Sequence, residues 1–168
     1  MKTLAQHINE WKLNDQSAKT IDKKSYYSNY FIYKIYGNEQ IIKIFDQDWP
    51  QFNNYKDKVY INGKHVELDN HGRTTNLYKQ GEYKIEIKDI NDVINCRWMF
   101  YTCKQLVSVP LFDTSNVKNM YCMFMECINL ESVPLLNTSK VVNMDSMFYE
   151  CHNLNEETIQ EWSKIYDF

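Results

Sequence analysis

MFYTCKQLVSVPLFDTSNVKNM (residues 99–120) is followed, after two residues, by MFMECINLESVPLLNTSKVVNM (123–144). Shifting the chain on itself by 24 residues places Met99 on Met123, Cys103 on Cys127 and Pro110 on Pro134. Between 99–122 and 123–146, 13 of 24 positions are identical. A third copy opens at Met147 as MFYECHNL and then departs from the pattern. Upstream, KIEIKDINDVINC (84–96) aligns with SVPLFDTSNVKNM (108–120): Ile85 and Ile87 stand for Val109 and Leu111, and Cys96 for Met120. A fixed period of this length marks stacked repeats, in which no unit buries its apolar edge alone.

Within a unit, Val109 and Leu111 alternate with Ser108 and Pro110, the period of a strand with one buried side. Stacking would line 85–87, 109–111 and 133–135 into a narrow parallel sheet. Met99, Phe100, Cys103 and Leu106 recur at i, i+1, i+4 and i+7, which predicts a short helical or 3₁₀ segment with one buried face. Asn95, Asn119 and Asn143 fall at one point of the period and predict a side-chain amide stack running from unit to unit. Asp113 and Asn137, each followed by Thr-Ser, are turn formers. Asn155, with Glu156 and Glu157 behind it, predicts the N-cap of a closing helix over 155–166 whose inner face is Ile159, Trp162 and Ile165.

The MF-x-x-C-x-x-L blocks and the P-L-x-[DN]-T-S-x-V turns resemble the BspA-type leucine-rich repeats of surface proteins from bacteria and their phages. The resemblance covers residues 84–154, with a shorter spacing between Leu106 and Thr114 than many relatives have. It implies a non-catalytic recognition or adhesion module. The resulting fold expectation is α+β. A short N-terminal amphipathic helix and connector (1–22) would precede a small antiparallel β region (23–83). A leucine-rich-repeat solenoid (84–154) and a C-terminal capping helix (155–168) would follow.

Ahead of the repeats, Leu4, Ile8 and Trp11 lie at i, i+4 and i+7, one face of a helix that would dock on its own chain or serve as an assembly arm. YFIYKIY and QIIKIFD flank Gly37-Asn38, a hairpin signal, and Asn62-Gly63 within KVYINGKHVEL is a stronger one. Asp69–Gly72 supplies another turn. Thirteen tyrosines and 15% aromatic residues suit strands that are half wet, because the ring is apolar and its tip polar.

Net charge is −3, without the basic patch that nucleic acid requires. No apolar run approaches a membrane span, and MKTLAQHINEW lacks the apolar core of a secretory signal. The expected location is therefore cytoplasmic as written, or a virion or cell surface by analogy. The five cysteines are odd in number, which argues against a disulfide framework, and the single C-x₄-C spacing, Cys122 to Cys127, has no second ligand pair to complete a zinc site. Cys103, Cys127 and Cys151 read as core fillers, Cys122 as the most accessible thiol, and the repeated methionines as packing. No phosphate loop, nucleophile elbow or zinc-protease motif occurs, so neither enzyme activity nor a cofactor is expected.

Surfaces remain as candidates for binding. Glu86, Ser108, Pro110, Ser132 and Pro134 would form an outward strip along the repeat strands, and Trp49, Phe52 and Tyr55 in DQDWPQFNNY either pack on the sheet or stack on a ligand. Function should lie where the two lines disagree, such as Lys104 against Ile128 or Val107 against Glu131, and in the Tyr-rich region ahead. The leading expectation is a module binding a protein or glycan. The alternative is a structural or assembly subunit, such as a virion component, forming a homo-oligomer through Leu4, Ile8 and Trp11 or through the repeat edge.

Overall fold

A computed structural model describes residues 30–90 and 92–168. Among the described residues the regular structure is an open five-stranded antiparallel sheet with two short helices. The elements are β1 (Tyr30–Ile35), α1 (Phe52–Tyr55), β2 (Val59–Ile61), β3 (Lys64–His65), β4 (Gly81–Ile87), β5 (Leu106–Ser108) and α2 (Glu156–Trp162). The strand order is β3-β2-β4-β1-β5.

The period-two pattern of β1 places Phe31, Tyr33 and Ile35 inward, and Ile85 and Ile87 of β4 join them. On the opposite face lysines lie over tyrosine rings: Lys84 over Tyr30 and Lys88 over Tyr60, each at 3.8 Å. This is the half-wet use of tyrosine that the composition suggested. Asn62 and Gly63, both at positive φ, close the β2–β3 hairpin. Gly37-Asn38 does not close one. β1 pairs instead with β4 and β5, while Gln40 and Lys43 bridge to Tyr78 and Arg73. The 69–72 turn is held by Asp69, whose Oδ1 accepts from the His71 and Arg73 amides. Gly72 is required there: a Cβ would fall 2.2 Å from the Phe45 carbonyl oxygen, at φ +72°.

The repeats depart furthest from expectation, and the leucine-rich-repeat solenoid expectation is corrected. Ile85 and Ile87 belong to β4 and are claimed by antiparallel neighbours. The first repeat contributes β5, which pairs antiparallel with β1 at Ile32↔Ser108 and Tyr33↔Leu106. The expected parallel strip is reduced to single bridges, Ser108↔Ser132 and Asn119↔Asn143. Proline explains the shortening, since Pro110 and Pro134 have no N–H to continue a ladder beyond Ser108 and Ser132.

The MF-x-x-C segments are not helical either. Trp98 and Thr102, Cys122 and Glu126, and Ser146 and Glu150 all adopt positive φ, between 51° and 61°, which breaks a helix twice per repeat. The result is a run of tight turns, with the Cys103 amide donating to Phe100 O and the Cys127 amide to Phe124 O.

These turns lie in layers. Amides of Cys96, Trp98, Phe100 and Thr102 donate to carbonyls of Asn119, Tyr121, Met123 and Met125, at 2.8–3.1 Å. Met120, Cys122, Phe124 and Glu126 repeat the pattern onto Asn143, Asp145, Met147 and Tyr149. The expected amide stack is absent here. The side chains of Asn95, Asn119 and Asn143 accept from the amide two residues on within their own layer, and their backbone positions link the layers. Phe100, Phe124 and Phe148 stack at 5.6 and 5.7 Å.

Helix α2 ends at Trp162, short of the expected span. Asn155 is its N-cap, its Oδ1 accepting from the Thr158 amide. Trp162 and Thr158 face inward, whereas Ile159 and Ile165 are exposed. Trp162 packs on Phe148 and donates from Nε1 to Val133 O.

The inward residues of the Val-Pro-Leu segments are Val109 with Phe112, and Val133 with Leu136. Leu111 and Leu135 are only half-buried. Phe112→Ala should therefore cost about 3–5 kcal/mol in urea unfolding, and Leu111→Ala distinctly less. Equal costs would refute this assignment of faces.

Candidate functional site

Trp49, Phe52 and Tyr55 are core residues, between 2% and 5% exposed. Trp49 stacks on Tyr55 at 5.3 Å, lies 4.9 Å from Phe45, and donates from Nε1 to Asn95 O at 2.7 Å. The packing reading of this loop holds, and its aromatic rings offer no binding surface. Glu86, Ser108, Pro110, Ser132 and Pro134 are half-buried. They do not form one strip. Glu86 sits in the central strand β4 between Tyr30 and Tyr60, apart from the two Ser-x-Pro segments. Leu4, Ile8 and Trp11 lie outside the described residues. Of the diverging pairs singled out in the sequence, Val107 is buried at 9%, while Lys104, Ile128 and Glu131 are exposed.

The cysteines are all free and buried, Cys122 included, so its expected accessibility is corrected. Cys127 donates from Sγ to Phe100 O and Cys151 to Phe124 O, each at 3.0 Å, so each thiol is tied to the layer before it. Burial pushes the Cys103 and Cys151 thiols up to about 12, and raises Cys96 and Cys127 as well. A protonated, enclosed thiol is not a nucleophile. His152 is exposed and paired with Glu150, while its neighbour Cys151 points into the core. Among the described residues no group of three His, Cys, Asp or Glu could hold a metal ion, and no helix is long and apolar enough to cross a membrane.

What the layers do present is an outer face of side chains at the differing positions of the period. Arg97, Tyr121 and Asp145 share one column, and Tyr101, Met125 and Tyr149 share another. Trp98, beside the first column, meets Tyr121 edge-on at 6.2 Å. The Arg97 guanidinium lies 3.8 Å from the Trp98 ring and 5.5 Å from that of Tyr121. Tyr149 is 55% exposed, and the other aromatic residues of this face are half-buried. Lys43 lies over Tyr101, clamped by Asp46 Oδ2 and Thr102 Oγ1 at 2.6 Å. The Tyr101 phenol is held protonated chiefly by repulsion from Glu126. At Tyr121 the hydrogen bond with Cys122 acts in the same sense, against Arg97. The face therefore carries phenol rings with two cations over its aromatic groups, Arg97 at Trp98 and Tyr121 and Lys43 at Tyr101. Its signal in the sequence was the contrast of RWMFYT, YCMFME and DSMFYE around an unchanging Met-Phe.

The match to known proteins covers this region. A family described as "Mycoplasma protein of unknown function, DUF285" matches residues 73–166, more than half of the chain, and the chain belongs to that family. No curated protein and no solved structure matches it.

The thiols of Cys96, Cys103, Cys127 and Cys151 make stability pH-dependent. Their folded pKa values lie above the unfolded value near 8.5, so their contribution is full below that pH and is lost as pH rises toward the folded values. Urea unfolding should show stability falling above about pH 8.5, by up to about 1.4 kcal/mol per pH unit for each thiol. Cys103→Ala should flatten the slope between pH 8 and 10. An unchanged slope would show that this thiol stays accessible.

Proposed function

We propose that the chain is a non-enzymatic recognition module that binds a protein or glycan partner through the outer face of its turn layers. One observation carries this reading: Met99, Phe100, Cys103, Leu106 and their identical counterparts in the next repeat point inward, whereas the differing residues Arg97, Trp98, Tyr101, Tyr121, Met125 and Tyr149 are partly or fully exposed. Trp, Tyr, Arg and Met are the residue types enriched at interface centres, where rigid rings give large contact at low entropic cost. The resemblance of the repeat text to BspA-type surface proteins supports the same reading. A defined glycan and protein array tests it. The wild-type chain should bind discrete spots, and Trp98→Ala/Tyr121→Ala should lose them at an unchanged melting temperature. No wild-type binding, or equal binding by both chains, rejects it.

A second reading, an assembly subunit, is favoured by the far edge of the third layer. The Met144 and Ser146 amides, whose counterparts in earlier layers bond the next layer, have no backbone partner among the described residues. Exposed Val142 (86%) and Ile165 flank them. If this edge joins copies, sedimentation velocity should show concentration-dependent self-association that Val142→Lys abolishes. A monomer throughout leaves the edge without that role.

A further inference from the structure

Only two of the 19 basic residues are arginines. Arg73 is engaged in an ion pair with Asp69 at 3.0 Å. Arg97 has no ion pair among the described residues, and its Nε–H is buried without an acceptor. Nε is the enclosed, unpartnered nitrogen of the guanidinium, while the Arg97 residue as a whole is partly exposed. Stacking at 3.8 Å on Trp98, with Tyr121 at 5.5 Å, fixes the cation without neutralising it. A guanidinium held in this way has lost its side-chain freedom in advance and presents a planar fork of donors. Leaving a buried N–H unpaired costs free energy, and nothing in the packing of the layers requires arginine at this column: Tyr121 and Asp145 occupy it in the next two.

We propose that Arg97 is the anchor for a carboxylate side chain on an acidic segment of a protein partner, received by the Nη fork beside Trp98 and Tyr121. The proposal rests on the outer turn face being the recognition surface, and it specifies the chemistry of what that surface takes. A carboxylate fits because two coplanar oxygens match the fork. A phosphate dianion fits worse. Asp145 acts on Tyr121 together with Arg97, and Glu126 acts on neighbouring Tyr101, so the fork takes a singly charged group more readily than a dianion. A protein segment is favoured over a sugar because the guanidinium covers the indole face on which a sugar ring would stack.

The presence of only two arginines makes the test direct. In the full chain labelled with ¹⁵N-arginine, Arg73 serves as the internal control for Arg97. Acetyl-Gln-Glu-Gln-amide, which carries one carboxylate, should move the Arg97 Nε–H signal saturably and leave that of Arg73 in place. Acetyl-Gln-Asn-Gln-amide and inorganic phosphate should do less. In Arg97→Lys, followed through the Trp98 indole N–H, the acidic peptide should bind at least about tenfold more weakly, since the planar fork is lost while the charge remains. Absence of a saturable shift, an equal shift with the neutral peptide, a stronger response to phosphate, or undiminished binding by Arg97→Lys overturns the anchor. If the peptide is silent while array binding still depends on Trp98 and Tyr121, the anchor alone falls and the recognition face stands.

Discussion

Each turn layer carries a row of amides along one edge that point out of the layer and need carbonyls from somewhere else. The next layer supplies them, so the layers are obligate neighbours, and the stack is anchored at the end that meets the sheet. There the first layer finds a substitute partner: Asp46 donates its amide to Met99 O, Trp49 donates Nε1 to Asn95 O, and the Cys103 thiol donates to Ile44 O. Side chains continue the join, with Phe31 at 5.2 Å and Phe45 at 5.9 Å from Phe100. Segment 44–49 thus takes the place of a preceding layer. It buries Trp49 and Phe45, which draws this aromatic loop into the core.

The repeated residues answer to this constraint one by one. Positive φ at six non-glycine residues is unfavourable by roughly 1–3 kcal/mol each, so the turns persist only because the interlayer bonds over-determine them. Phenylalanine at the centre stacks on its counterpart, an interaction of about 0.5–1.5 kcal/mol beyond burial. Cysteine fits because it is small, apolar and still donates to the carbonyl of the preceding Phe. Serine would fill the same volume but is more costly to enclose if its bond is imperfect. Identity between repeats therefore records interlayer contact.

Much of this was legible in the sequence, and the failures have physical causes. Asn62-Gly63 encodes its hairpin locally, because few other residues tolerate two consecutive positive φ values. Asn155 encodes its cap for a similarly local reason. The i, i+1, i+4, i+7 pattern marks Met99, Phe100, Cys103 and Leu106 as buried, and they are, but the pattern is not specific to a helix. A run of turns with two left-handed residues also returns side chains to one side, and Trp98 and Thr102 are not residue types that advertise such a conformation. Gly37-Asn38 does not form a hairpin because β1 has two better partners distant in sequence, and pairing with residues as far apart as Tyr30 and Glu86 leaves no local mark. The parallel strip stops at Pro110 and Pro134, because the donor each proline lacks outweighs the apolar alternation around it.

The same constraint separates structure from function at the variable columns. A side chain pointing out of a layer is not fixed by the period, and the column of Arg97, Tyr121 and Asp145 passes from cation through phenol to anion without disturbing the ladder beneath. A scaffold of this kind can alter its outer chemistry layer by layer while its inner chemistry stays constant. The gradient also has a direction. The cation lies beside the sheet, where Lys43 adds a second positive charge clamped by Asp46 and Thr102, and the carboxylates of Asp145 and Glu150 lie at the far end. A partner read by this face would meet an oriented field as well as a set of rings. Orientation of that kind fixes the register of an extended segment more than it adds affinity, because the exposed far-end charges are screened within about 10 Å while the ring-stacked cation beside the sheet is not free to relax.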